Sequence, residues 1–174
     1  MTPARLAIVA MLVPLLPVPA MAQWMTFVGR NVDTGERLGL GARVVTEGED
    51  PRLAILCTPD GLTATYDTGF AVPPEQEASD LPSALLVGAD GAAFDPFPAQ
   101  LESFNRGERT EMRLRLETRE AMALAEYVLG ATETIQLGYR LGDDNVMRSF
   151  SNDSAPVTVA AVLTECQGRT AKSK

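Results

Sequence analysis

The stretch LAILCTPDGLTATY, residues 53 to 66, predicts two antiparallel strands joined by a tight turn. Leu53, Ile55 and Cys57 share one face at period two, which is the pattern of a strand with one buried side. The tripeptide PDG then supplies a hairpin turn, and the same alternation resumes after it. Cys57 is therefore expected to point into the core together with the apolar residues.

Strand patterns continue outward from this hairpin in both directions. The clearest is EMRLRLE, where Met112, Leu114 and Leu116 alternate with charged residues. Further strands are predicted over residues 24–28, 36–46, 83–88, 92–94, 134–141 and 146–151. Glycines at positions 39 and 41 suggest a bulge or bend in the second strand. We expect a mainly β fold, either an antiparallel β-sandwich or a curled sheet.

Two segments change to the helical period. The first is 118–131, with Thr118 as its expected N-cap and Gly130 near its end. Its apolar stripe consists of Ala121, Leu124, Ala125 and Val128. The second begins after Ser154, which we expect to cap it, and its stripe is Val159, Val162, Leu163 and Cys166. This second pattern predicts a C-terminal helix with one face against the core.

The two cysteines predict a disulfide between Cys57 and Cys166. Each lies on the apolar face of its own element, and an exported chain with two cysteines has one intramolecular pairing. Two free buried thiols are the alternative. Redox catalysis is disfavoured, because it uses a close pair such as C-x-x-C. The bridge would close a loop of about 110 residues, for which chain entropy predicts about 4–5 kcal/mol of stabilisation.

The first residues have the three parts of a secretory signal peptide. Arg5 is basic, the segment 6–16 is apolar, and AMA at 20–22 offers a cleavage site. A helix that short spans about 16 Å against a hydrocarbon core of about 30 Å, so a membrane anchor is the weaker interpretation. We expect a signal peptide over 1–22, a single β-rich domain over 23–167 and a disordered tail over 168–174. The protein is therefore predicted to be periplasmic or secreted.

The charge balance limits the class of partner. The chain of 174 residues has 15 basic and 23 acidic residues and a formal net charge of −8, and removal of Arg5 with the signal makes the charge more negative. A strongly acidic protein is a poor ligand for nucleic acid or for an anionic membrane surface. We expect neither as a partner.

The residue inventory disfavours most catalytic chemistry. The chain has no histidine, and its only lysines, Lys172 and Lys174, lie in the tail. Paired carboxylates remain. The turns at 47–50 and 143–145 carry acidic residues that could bind calcium, but neither has the spacing of a calcium loop. Glu102, Glu108 and Glu111 are the candidates for a hydrolase pair. We expect no cofactor and no metal.

Three side chains are candidates for contact with a partner. Trp24 lies at the expected mature N-terminus, and Arg113 and Arg115 share the outward face of one strand. The structural alternatives are a tryptophan covering the edge of the core and an ordinary solvated strand face. The acidic, proline-rich loop at 71–80 is a further candidate surface, because loops on rigid sheets often carry function.

The arrangement of motifs resembles a family of small exported bacterial proteins, the type VI secretion-associated periplasmic proteins (TagO or VasI type). The shared features are Trp24, DTGE at 33–36, LAILC at 53–57, SFS at 149–151 and a terminal helix that ends in Cys166. The resemblance implies a periplasmic accessory protein without catalytic residues. It also implies a role in the cell envelope or in secretion.

Two classes of function follow from the sequence. The first is an exported, non-catalytic binding or accessory domain. The second is a small periplasmic hydrolase that uses paired carboxylates. Two carboxylates about 5–10 Å apart in a concave pocket would favour the enzyme. An exposed apolar patch would favour binding.

Overall fold

The structure is a computed structural model. It describes residues 23–31, 33–45, 53–71, 81–106 and 109–172. The segment predicted as a signal peptide lies outside these ranges, as do the acidic turn at 47–50 and all but the first residue of the loop at 71–80.

The described residues form ten strands and two helices. In chain order these are β1 Gln23–Arg30, β2 Arg37–Val45, β3 Leu53–Thr58, β4 Gly61–Asp67, β5 Ala84–Ala89, β6 Asp95–Pro98, β7 Gln100–Arg106, β8 Arg109–Leu116, α1 Thr118–Gly130, β9 Thr134–Leu141, β10 Asp144–Ser151 and α2 Ala155–Lys172. The strands form a six-stranded sheet in the order β1-β2-β3-β4-β8-β7 and a four-stranded sheet in the order β10-β9-β5-β6. Every paired neighbour is antiparallel.

One hydrophobic core unites both sheets and both helices. The inward residues of the β3–β4 hairpin, among them Ile55 and Tyr66, are almost fully buried there. The rings of Tyr66 and Tyr139 lie 6.5 Å apart, which brings the inner faces of the two sheets together. The apolar stripes of the helices join the same cluster. The prediction of a mainly β, antiparallel fold with two helices is confirmed.

The predicted disulfide is present. Cys57 on β3 and Cys166 on α2 are bonded, with their Cα atoms 5.5 Å apart. That separation falls within the range that disulfides favour. The bond ties the terminal helix to the third strand, and none of the described cysteines is free.

Two features of the strand pattern differ from expectation. The strand expected at 92–94 begins later, as β6 at Asp95, and β7 follows in a stretch that showed no clear alternation. β6 contains Pro96 and Pro98, and it lies at an edge of its sheet, where a strand tolerates residues without an N–H donor. At the other end, α2 continues to Lys172, through residues predicted as the start of a disordered tail.

The expected caps of α1 were wrong in their chemistry. α1 begins at Thr118, but its N-cap is Glu117, which makes no side-chain capping bond. Gly130 is the last helical residue, and the following Ala131 has an extended backbone, not the left-handed turn that glycine favours. The hydroxyl of Ser154 donates to the carbonyl of Trp24, 3.1 Å away on β1. This bond joins the start of α2 to the first strand.

The carbonyl groups at the end of α1 are satisfied by a distant side chain. The amide nitrogen of Asn152 donates to the carbonyls of Val128 and Ala131, at 2.9 and 2.8 Å. Its backbone N–H donates to the carbonyl of Glu133 at 2.9 Å. Asn152 is 1% exposed, so these hydrogen bonds are shielded from solvent. They replace the bonds that the last turn of a helix lacks.

The N–H groups that follow α1 are satisfied by a second distant side chain. The carboxylate of Asp90, in the β5–β6 turn, accepts four bonds of 2.9 Å from the backbone of Thr132, Glu133 and Thr134 and from the hydroxyl of Thr132. Asp90 has a positive φ of 50°, which aspartate tolerates better than most residues. We call this region, residues 128–134 with Asn152 and Asp90, the α1–β9 junction.

The predicted irregularity in β2 is also present. The pairing of β1 with β2 shifts in register between Gly29 and Arg30, opposite Leu38. The carbonyl of Leu38 accepts a bond of 2.9 Å from Arg169 on α2, and Arg169 also pairs with Glu165 at 2.8 Å. The C-terminal half of α2 therefore has a polar contact with β2 beside its covalent bond to β3.

Candidate functional site

The two faces of the six-stranded sheet have different environments. Its inner face packs against the helices and the second sheet. Its outer face, which we call the open face, carries the alternate residues of the same strands, and most of these keep partial exposure. The alternation of β3 and β4 alone produces this difference, because successive side chains point to opposite sides of a sheet.

The open face contains a hollow of about 330 Å³. It is lined by Phe27, Arg43, Ala54, Leu56, Thr63, Thr65, Asp67 and Arg113. Strands β3 and β4 provide its centre, through the cross-strand pairs Ala54–Thr65 and Leu56–Thr63. We call it the open-face hollow. Its volume lies at the lower end of the range for small-molecule sites.

Glycines shape the side of the hollow nearest β1. Phe27 lies opposite Gly41 in the β1–β2 ladder, and a Cβ atom at Gly41 would collide with the Phe27 ring. A Cβ atom at Gly29 would lie 2.7 Å from a methyl group of Leu56. Both apolar side chains therefore lie flat over strand backbone that has no side chain of its own. The result is a low apolar wall.

Arg43 supplies the cation on this wall. Its Cζ atom lies 5.5 Å from the centroid of the Phe27 ring, within the range of a cation–π contact. Its ladder neighbours are Met25 and Ala54, neither of which carries charge. The Nε atom of Arg43 is buried and has no hydrogen-bond partner among the described residues. Arg43 is thus a partly desolvated cation between apolar neighbours.

The charges of the opposite wall are paired, although the Nε of Arg113 makes no hydrogen bond among the described residues. Arg113 and Asp67 are ladder partners, with Nε and Oδ1 3.3 Å apart. The guanidinium of Arg113 also lies over the ring of Phe104, 3.8 Å from its centroid. Arg115, which does not line the hollow, pairs with Glu102 at 3.4 Å and with Glu117 at 3.1 Å.

A second hollow, of about 490 Å³, lies on the outer face of the four-stranded sheet. It includes Leu86, Phe94 and Arg140, and Phe94 is 39% exposed. Its cation already has a partner, because the Nε of Arg140 donates to the side-chain oxygen of Asn145 at 3.3 Å. This hollow is larger than the first, but its arginine is already engaged with Asn145.

The candidate contact residues lie in different places. Trp24 is 2% exposed and its indole N–H donates to the carbonyl of Ser151, so it belongs to the core and presents no surface to a partner. Arg113 lines the open-face hollow, and Arg115 lies outside it. Both arginines are ion-paired.

The carboxylates considered for catalysis or metal binding do not form a cluster in the part of the chain that the structure describes. Glu102 belongs to the ion pair with Arg115. Glu108 and the acidic turn at 47–50 lie outside the described ranges. Within those ranges no three acidic or thiol side chains form a group that could hold a metal ion. The open-face hollow contains one carboxylate, Asp67.

Sequence patterns did not single out Arg43 or Phe27. Arg43 is one outward residue in a strand whose neighbours in the sheet cannot be read from the sequence. Its importance depends on the register that places Met25 and Ala54 beside it. The available signal was a lone cation inside an otherwise uncharged stretch of β2, LGLGARVV.

No family model, no curated protein and no solved structure matches the chain. Among the described helices, none is both long and apolar enough to cross a membrane. The function is therefore inferred from the fold and the open-face hollow.

Proposed function

We propose that the protein is an exported, non-catalytic binding domain whose ligand occupies the open-face hollow. The observation that carries this proposal is the environment of Arg43, a cation that lines an apolar depression, has a buried Nε without a hydrogen bond and, unlike Arg113 and Arg115, makes no ion pair with the described residues. Native proteins rarely leave such a donor unsatisfied, and an unfilled ligand site is one explanation when they do.

The alternative function, a carboxylate hydrolase, is less well supported by this site. Glycoside hydrolysis uses two carboxyl groups, one of which stays protonated to act as the acid. The described lining of the hollow offers Asp67 alone, and Arg113 lies against it. A neighbouring cation favours the charged form of a carboxyl group and so opposes its use as a proton donor.

The proposed location is the bacterial periplasm. Its support is the signal-like N-terminal sequence together with the Cys57–Cys166 disulfide, which is compatible with an oxidising compartment.

The association with type VI secretion stays a prediction from resemblance. Secretion by a strain that lacks the gene, compared with its parent, tests that association directly.

The first experiment tests export. The full chain is expressed in a Gram-negative host, and the periplasmic form is analysed by intact-mass spectrometry without reduction. We expect a chain that begins at Gln23 and has no free thiol. A cytoplasmic protein that retains residue 1 and two free thiols would contradict the proposal.

The second experiment tests binding. The low-molecular-mass fraction of a periplasmic extract is added to the ¹⁵N-labelled, oxidised protein, and backbone amide shifts are mapped by NMR. We expect shifts at Ala54, Leu56 and Thr65, and we expect their loss in the variant R43Q. Shifts confined to the second hollow around Phe94, or no shifts at all, would contradict the proposed site.

A further inference from the structure

We infer that the open-face hollow binds a small monocarboxylic acid with an apolar body, its carboxylate on Arg43. This inference rests on the proposed function and names the class of ligand. Its first support is charge complementarity. The described lining holds two guanidinium groups and one carboxylate, in a chain whose formal net charge is −8. The hollow is thus a local excess of positive charge on an acidic protein.

The paired arginines of the same face serve as an internal comparison. Arg113 faces Asp67 across the β-ladder, and Arg115 pairs with Glu102 on the diagonal of the neighbouring strand. Arg43 has the uncharged ladder partners Met25 and Ala54, and it makes no ion pair with any of the described residues. A carboxylate on Arg43 would therefore give it the kind of partner that its two counterparts already have. The planar guanidinium fork matches a carboxylate with two parallel hydrogen bonds.

The rest of the hollow selects the body of the ligand. The side chains of Phe27, Ala54 and Leu56 are apolar. The hydroxyl of Thr63 already donates to the carbonyl of Leu56, at 3.5 Å. The central surface thus favours an aliphatic or aromatic group over a heavily hydroxylated one, because polar groups buried without partners cost binding energy.

Asp67 limits the number of charges on the ligand. It lies on the wall opposite Arg43, where its own charge is balanced by Arg113. A second carboxylate on the ligand would approach Asp67 and be repelled, which is how a site rejects close analogues. One unpaired cation also suits a singly charged carboxylate better than a phosphate dianion. The geometry therefore favours a monoacid.

The test uses hexanoate as the probe, titrated into the ¹⁵N-labelled oxidised protein. Three analogues isolate the features of the ligand. Hexylammonium reverses the charge, acetate lacks the apolar body, and adipate adds a second carboxylate. We expect saturable shifts at Ala54, Leu56 and Thr65 with hexanoate, and binding at least about tenfold weaker for each analogue.

Variants of Arg43 then test whether this residue binds the carboxylate of hexanoate. R43Q should weaken hexanoate binding at least about tenfold, and R43K should fall between R43Q and the wild type because lysine keeps the charge without the fork. R140Q, in the second hollow, is the matched control and should bind hexanoate as the wild type does. The amide spectra of the free variants check that each one folds.

Three outcomes would overturn the inference: equal binding of hexanoate and hexylammonium, wild-type affinity in R43Q, or loss of affinity in R140Q in place of R43Q. Failure of the proposed function appears differently. If hexanoate fails but the periplasmic fraction still shifts the open-face amides, the class of ligand is wrong and the binding function stands. If the fraction also produces no shifts, both fail.

Discussion

Helix α2 is held to β3 by one covalent bond, whereas α1 is held to β9 by hydrogen bonds from two side chains that come from elsewhere in the chain. The disulfide between Cys57 and Cys166 acts mainly by restricting the unfolded chain. Asn152 and Asp90 act only in the folded state, where they satisfy backbone groups of the α1–β9 junction.

The two ties differ in what their loss does to the folded state. Loss of the disulfide leaves no buried polar group without a partner, so the folded structure can persist with a less restricted unfolded state. Loss of Asn152 leaves two buried carbonyls unpaired, and such groups are costly in the folded state itself. The junction is therefore expected to be the more sensitive of the two ties.

The largest expected effect is that of Asn152→Asp. The change keeps the size of the side chain but turns a donor into an acceptor that faces the carbonyls of Val128 and Ala131. Because the site is buried, we expect a loss of about 4 kcal/mol or more in the free energy of unfolding, measured by urea denaturation. Asn145→Asp, at an exposed position, is the matched control. Equal loss in the two variants would contradict the role of the junction.

The second expected effect is removal of the disulfide. The double variant Cys57→Ala, Cys166→Ala should lose about 3 kcal/mol. Hydrogen exchange should speed up first in the C-terminal half of α2, which has fewer ties than a strand inside the sheet. The reduced wild-type protein provides the comparison without mutation. An unchanged thermal midpoint in the double variant would show that the disulfide does not stabilise the folded protein.

A smaller effect is expected for Arg169→Met. This change removes the bond to the carbonyl of Leu38 and the pair with Glu165 but keeps an apolar side chain. Because the site is partly exposed, we expect a loss of about 0.5–1.5 kcal/mol. Arg119→Met, on the exposed part of α1, controls for the loss of charge. In the double-cysteine background the effect should increase, since non-covalent contacts such as those of Arg169 would then be all that holds this half of α2 to the sheet. Strict additivity would argue that the two ties act independently.

The smallest effect at neutral pH is expected for Asp90→Asn, which keeps one acceptor oxygen. The N–H groups of Thr134, Thr132 and Glu133 hold the pKa of the Asp90 carboxyl well below its usual value. A lowered pKa in the folded state gives stability that is present above about pH 4 and is lost as the pH falls further. The difference in thermal midpoint between wild type and D90N should therefore shrink under acid.

Calorimetry from pH 7 to pH 2 measures that difference. Asp60→Asn is the matched control, because Asp60 lies in the exposed turn between β3 and β4. If D90N and D60N differ from the wild type by the same amount at every pH, the proposed role of Asp90 is wrong.

The sequence predicted the features that depend on local period. The alternation of β3, β4 and β9 and the stripes of both helices were visible because each element buries one face. The disulfide followed from two cysteines on two such faces. β6 was placed too early, and its prolines masked an edge strand that tolerates them.

The junction and the hollow were not predictable in the same way. The side chains of Asn152 and Asp90 bind backbone groups 21 to 44 residues away in the chain, and such contacts leave no local pattern. Arg43 stands out through the residues beside it on β1 and β3, which requires the register of the sheet. The sequence could therefore suggest a binding function as a hypothesis, but it could not locate the open-face hollow.

The bond between Cys57 and Cys166 also has a topological consequence. It encloses every element from β4 to most of α2 within a covalent ring. A single proteolytic cut inside that ring, for example at the Gly142 turn, produces two polypeptides that remain one molecule until they are reduced. A cut in the turn between β1 and β2 would instead release the first strand from all covalent attachment. The ring therefore keeps most of the domain in one covalent molecule after a single break.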